Sequence, residues 1–217
     1  MNILSKTVGF CLLAAVLLAG CDPSGGDGGV TVGVESDRDD SLFGSAIVTI
    51  VAAQGVGFYT GTVAATVNGQ TTTTTTGSAL GSAPRVDAGN PLPFAISLDG
   101  TQVVSTSVTQ PEQPTIGAVG TPAANSDITI SWNDLDPDPG SFRLTIVTTS
   151  GLTTVYDQAS IPGSSTSHVI PANTLTATTQ YQLTLFAHNR QSISGDGLAS
   201  GSYVRASWFD SVTFTPN

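Results

Sequence analysis

The chain is poor in charge. Only 10% of its 217 residues are Asp, Glu, Lys or Arg, and the single lysine, Lys6, lies at the very start. Beyond it the only cations are five arginines, set against sixteen acids in the whole chain. A basic patch that could grip nucleic acid or an anionic bilayer is therefore not expected. Lysine-dependent chemistry is excluded wherever Lys6 is removed. Histidine is scarce as well: neither His168 nor His188 has a neighbour at metal-ligand spacing. The serines form no Gly-x-Ser-x-Gly elbow and no Ser-x-x-Lys, and no zinc-protease helix is present. Gly55, Gly57 and Gly61 lack the spacing of a dinucleotide loop, and Thr60, Thr62 and Val63 predict strand where a helix would have to begin. What remains is 39% hydrophobic residues, enough for a core, together with 24 glycines and 12 prolines. That mixture suits short strands and many turns.

The most informative stretch comes first. Met1 to Lys6 carries one positive charge, and Thr7 to Gly20 is an almost unbroken apolar run ending in small side chains. This is the layout of a secretory signal, too short for a relaxed transmembrane helix of about 20 apolar residues. Leu18-Ala19-Gly20-Cys21 resembles the lipobox of bacterial lipoproteins: an apolar residue, two small ones, then cysteine. The resemblance implies cleavage between Gly20 and Cys21 and attachment of lipid to the Cys21 thiol. Each buried methylene contributes about 0.8 kcal/mol, and two or three acyl chains hold a protein on a membrane where one does not. Cys11 sits inside the discarded run as a small hydrophobe, so the mature chain would keep no thiol for a disulfide, a zinc site or a nucleophile. Asp22 resembles the residue that retains lipoproteins at the periplasmic face of the inner membrane, with the outer membrane as the alternative.

From Cys21 to Ser41 the Gly-rich, acidic sequence reads as a flexible tether with no apolar face. Some 20 such residues would span about 25 Å root-mean-square. After it, β-branched residues alternate with polar ones between turn signals, and no helical period appears. The expected fold is all-β, two immunoglobulin-like or fibronectin type III-like β-sandwich domains. In the first, 42–110, Ala46 to Ala52 and Tyr59 to Val67 read as strands. Asn68-Gly69 and Asp99-Gly100 read as hairpin turns, because a type I′ turn needs positive φ at both central residues. The run Thr71 to Thr76 reads either as a strand or as a flexible or O-glycosylated loop. Pro111 and Pro114 resist joining a sheet and mark a boundary. In the second domain, 111–217, one face collects Ile128, Ile130 and Trp132, then Phe142, Leu144 and Ile146, then Tyr181, Leu183, Leu185 and Ala187. Val212 and Phe214 read as a closing strand.

Trp132, Leu175, Thr179 and Tyr181 stand where a fibronectin type III domain has its second-strand Trp and the Leu, Thr and Tyr that introduce its sixth strand. Ala187 and Asn189 fit the end of that strand. Residues 112 to 217 thus resemble that family, although Thr176, Ala177 and Thr178 replace its usual Pro and Gly. The resemblance implies a sandwich in which the Tyr181 hydroxyl bonds back to upstream backbone, and it implies no activity.

Two segments are candidates for binding. Asp134, Asp136 and Asp138 alternate in the loop after Trp132, dense enough in oxygen for calcium, yet Asp and Pro are also ordinary turn formers. Residues 189–207 read as a long connection between the last strands, whose Arg190, Tyr203 and Arg205, with Trp208 beyond, would contact a glycan or protein. The expected protein is a lipid-anchored envelope lipoprotein, non-catalytic and without cofactor, held to the membrane through Cys21 and facing an envelope protein or glycan. A glycan-binding or calcium-dependent adhesion module is the alternative, and a hydrolase with a dispersed triad the third.

Overall fold

Alternation of β-branched and small polar residues leaves the chain only one economical way to satisfy its backbone, the sheet. In a computed structural model, which describes residues 29–38, 45–55 and 57–217, every regular element is a strand. In chain order these are β1 (Thr31–Arg38), β2 (Ser45–Gln54), β3 (Gly57–Phe58), β4 (Val63–Val67), β5 (Gln70–Thr74), β6 (Ser78–Pro84), β7 (Pro91–Leu98) and β8 (Thr101–Thr109). Then follow β9 (Ile128–Ser131), β10 (Ser141–Thr148), β11 (Thr154–Pro162), β12 (Ser167–Ile170), β13 (Tyr181–Ser192) and β14 (Tyr203–Phe214). Gly20 and Cys21 lie outside the described residues.

The chain divides into two units, and the division is not linear. The first unit takes the chain up to Gln110 and then Asn189–Ser207; the second takes Pro111–His188 and Trp208–Asn217. In the first unit, β1 lies between β14 and β2, with β3 and β6 both on the far edge of β2, and a second sheet runs β5-β4-β7-β8. Val32 and Val34 of β1, Val48, Ile50 and Ala52 of β2, Val63, Ala65 and Val67 of β4, and Leu92, Phe94 and Ile96 of β7 meet in one core. Both hairpin turns form at the expected dipeptides, with φ of 44° and 82° at Asn68-Gly69 and 48° and 84° at Asp99-Gly100. The threonine run is strand β5 as far as Thr74, and Thr75, Thr76 and Gly77 then turn the chain into β6.

Three expectations need correction. The tether ends earlier than 41, because Thr31–Arg38 is strand β1, with Val30, Val32 and Val34 buried on one face. The other face carries the acids Glu35 and Asp37, and these are buried too. Tyr59 to Val67 is not one strand: the Tyr59 hydroxyl donates to Asp99 Oδ2 at 2.6 Å and the Thr62 N–H to Asp99 Oδ1 at 2.8 Å, which breaks the extension before β4. Residues 189–207 are not an apical loop of the second domain. Asn189 to Ser192 continue β13, Tyr203 to Ser207 begin β14, and all belong to the first unit.

The second unit is a sandwich of β11-β10-β13-β14 and β12-β9, with Ile116 bridged to Trp132. The three sets of alternating residues predicted to face inward do so: Ile128, Ile130 and Trp132 pack with Phe142, Leu144 and Ile146 and with Tyr181, Leu183, Leu185 and Ala187. The Trp132 ring lies 5.2 Å from that of Phe142 and its indole N–H donates to Ser165 O at 2.8 Å. Tyr181 accepts the Thr176 N–H at 2.9 Å, the backbone tie expected of that tyrosine.

Candidate functional site

The residues expected in an exposed binding loop are gathered instead around a carboxylate inside the first unit. On β14, alternation sends Val204 and Ala206 into the core and leaves Tyr203 and Arg205 on the opposite face. On β1 the matching face carries Gly33, Glu35 and Asp37. Glu35 is 0% exposed. It accepts the Tyr203 hydroxyl at 2.8 Å and pairs with the Arg205 guanidinium. Arg190, on the β13 continuation, holds its guanidinium carbon 4.0 Å from the centre of the Tyr203 ring. A Cβ at Gly33 would stand 3.0 Å from Tyr203 Cζ and Oη, so the missing side chain makes room for that ring.

Electrostatics decides the character of this group. Burial by itself pushes Arg205 towards the neutral form, yet Glu35 first, then Asp37 and Tyr203, raise it above the ordinary arginine value. The cation is therefore permanent, and it is matched by a carboxylate that no water reaches. Breaking such a pair from one side costs about 3–5 kcal/mol, since the remaining charge cannot be rehydrated without opening the fold. Chemically, the group contains a donor hydroxyl, a paired cation and a buried anion. It clamps β14 to β1.

Other predicted positions fall elsewhere. Trp208 belongs to the second unit and is 8% exposed, so its ring is interior rather than a stacking surface. Asp134, Asp136 and Asp138 are exposed, while Leu135 between them enters the core, and among the described residues no three metal-ligating side chains converge. His168 Nε2 meets the Tyr156 hydroxyl at 2.8 Å, and His188 is buried on β13. Among the described residues no helix is long and apolar enough to cross a membrane. Glu35, Asp37 and Gly33 were missed because acids and glycine in a Gly-rich lead read as solvated. The signal that could have found them is the period of two through Val30, Val32 and Val34.

Comparison with known proteins returns structural similarity only. No family model matches the chain, and no curated protein matches it. Among solved structures it is similar to the FN1–FN3 domains of chicken CNTN1, at 13% identity and a TM-score of 0.32, over 86% of this chain and 64% of that one. It is also similar to a two-domain fibronectin type III segment of chicken tenascin, at 13% identity and a TM-score of 0.30, over 80% of this chain and 95% of that one. The chain thus spans less than two thirds of the first of these.

Proposed function

We propose that this protein is a lipid-anchored envelope lipoprotein whose two β-sandwich units serve as a non-catalytic structural or protein-interaction module. The observation that carries the non-catalytic part is the fate of Arg190, Tyr203 and Arg205. The side chains best suited to grip a ligand are committed to a buried carboxylate and to each other. The anchor rests on Leu18-Ala19-Gly20-Cys21 and its apolar lead. Strand β1 then adds a geometric consequence. Between Cys21 and Thr31 only residues 22–30 intervene, and fully extended they reach about 30 Å. The first unit works within that distance of the membrane surface, on the periplasmic face of the inner membrane if Asp22 acts as a retention residue. Its partner is an envelope protein or glycan.

Three measurements test this. A Cys21→Ser variant is expected to leave the membrane fraction and appear soluble; continued sedimentation with membranes refutes the lipid anchor. Photo-crosslinking of the membrane-attached protein, with probes on the exposed faces of both units, is expected to return a dominant envelope partner. Labelling of a serine by a phosphonate probe would instead revive the hydrolase.

A further inference from the structure

We propose that β6 is a docking edge, through which two copies of this chain join their sheets antiparallel about Gly81. Strand β6 pairs with β2 over seven positions in unbroken register, and among the described residues no strand pairs with its other side. The register shows which groups that open side presents. The Ala52 N–H donates to Gly77 O at 2.6 Å and Ala52 O accepts the Tyr59 N–H at 3.1 Å, so Ala52 turns its backbone towards the edge that carries β3 and β6. Every second residue of β2 does the same, which includes Ile50, Val48 and Ala46. Their partners Ala79, Gly81 and Ala83 therefore direct their N–H and C=O groups at β2, and Ser78, Leu80 and Ser82 turn theirs outward. Ser78 O accepts the Thr74 hydroxyl at 2.7 Å and Pro84 O the Asn68 side-chain amide at 3.1 Å. Between them Leu80 and Ser82 each offer a donor and an acceptor.

Open edges are normally blunted by charge, an internal proline or a bulge. Strand β6 has none of these: no charged residue occurs from Ser41 to Pro84, its one proline is its last residue, and its pairing with β2 shows no register shift. Leu80 is 58% exposed. Phe58 on β3, also exposed, shares its face of the sheet, because their partners Thr49 and Ala53 stand four apart on β2. Such an edge takes an extended strand, and charge and symmetry make that strand a second copy. The chain has a formal net charge of −10, so most approaches between copies set acid against acid, whereas this edge sets no charge against its like. With the strands antiparallel about Gly81, Leu80 of each copy stands opposite Ser82 of the other, and each such pair exchanges two hydrogen bonds. The two Leu80 side chains then meet across the diagonal, and on the other face Ala79 stands opposite Ala83, so no large side chain obstructs the approach. The contact uses the same strand of both copies and closes at two.

The pairing does not depend on the lipid anchor, so the chain from residue 21 with Cys21→Ser serves for the test. Sedimentation equilibrium is expected to show a monomer–dimer equilibrium, and a monomer at every concentration up to about 1 mM overturns the proposal. Amide exchange read by NMR then locates the contact. The Leu80 and Ser82 amides are expected to gain protection as concentration rises, while those of Ala79, Gly81 and Ala83, already directed at β2, stay unchanged. A dimer that leaves Leu80 and Ser82 unprotected overturns it. Leu80→Lys, at an exposed position, is expected to raise the dimer dissociation constant about tenfold. Ser107→Lys on the exposed face of β8 serves as the control for added charge. Equal effects of the two substitutions overturn the proposal, as does a photo-crosslink from position 80 that captures a different protein in place of a second copy.

Discussion

At the scale of single residues, Glu35 is charged, 0% exposed and held by the Tyr203 hydroxyl and the Arg205 guanidinium. Arg205→Ala is expected to destabilise the first unit by about 3–5 kcal/mol, measured by urea unfolding. The double variant Glu35→Leu/Arg205→Met should recover much of that, since an apolar pair of similar volume needs no counter-charge. Asp99 makes a smaller and titratable contribution. The Tyr59 hydroxyl foremost, then the Thr62 N–H, hold its carboxyl below the usual 3.8. The folded value is the depressed one, so this stability is present above the unfolded carboxylate value and is lost as pH falls through the folded one. Tyr59 is shifted the other way, raised above 10.0 by its bond to Asp99 first and by burial second. Its share is present below that value and is lost as pH rises through the higher folded one. Between about pH 5 and pH 2.5 the urea midpoint of the wild type should fall further than that of Tyr59→Phe.

At the scale of elements, the second unit was far more legible than the first. Ile128, Ile130 and Trp132 announce β9 because a buried face of large apolar residues against a polar one leaves no other register. Asn68-Gly69 and Asp99-Gly100 announce their hairpins because few dipeptides accept two positive φ values. Strand β1 was hidden because its second face is satisfied by partners some 170 positions away, and no local window contains them. The same holds for Tyr203 to Ser207, whose aromatic and basic residues read as a binding surface. Of the residues expected there, Arg190 is exposed, Arg205 is half-buried, and Tyr203 and Trp208 are buried, so the outward reading held for Arg190 and not for the two aromatic rings. The tyrosine tie is the element-scale feature most open to measurement. Tyr181→Phe leaves the Thr176 N–H without its acceptor and should cost about 1–2 kcal/mol, read from the denaturation of Trp132 fluorescence in the same unit.

At the scale of the whole molecule, the chain passes through the first unit, into the second, back into the first, and out again. The alternating pattern and the boundary at Pro111 and Pro114 point to two sandwiches, yet nothing local could foretell the return, because it depends on which distant strand completes β1. The arginines close the account. After Lys6 only Arg38, Arg85, Arg143, Arg190 and Arg205 remain as cations. Arg38 donates to Val86 O, Arg85 to Ser45 O, Arg143 grips Asp157 through two hydrogen bonds, Arg190 covers Tyr203 and Arg205 holds Glu35. Four of them lie within strands, and Arg85 directly follows one. At Arg143, Arg190 and Arg205 a trypsin-like protease must draw a stretch of chain out of its sheet before it can cut, so native cleavage at these three should be rare. A cut at Arg143, Arg190 or Arg205 reports the opening of β10, β13 or β14, which makes limited trypsinolysis a three-point gauge of where these strands come apart.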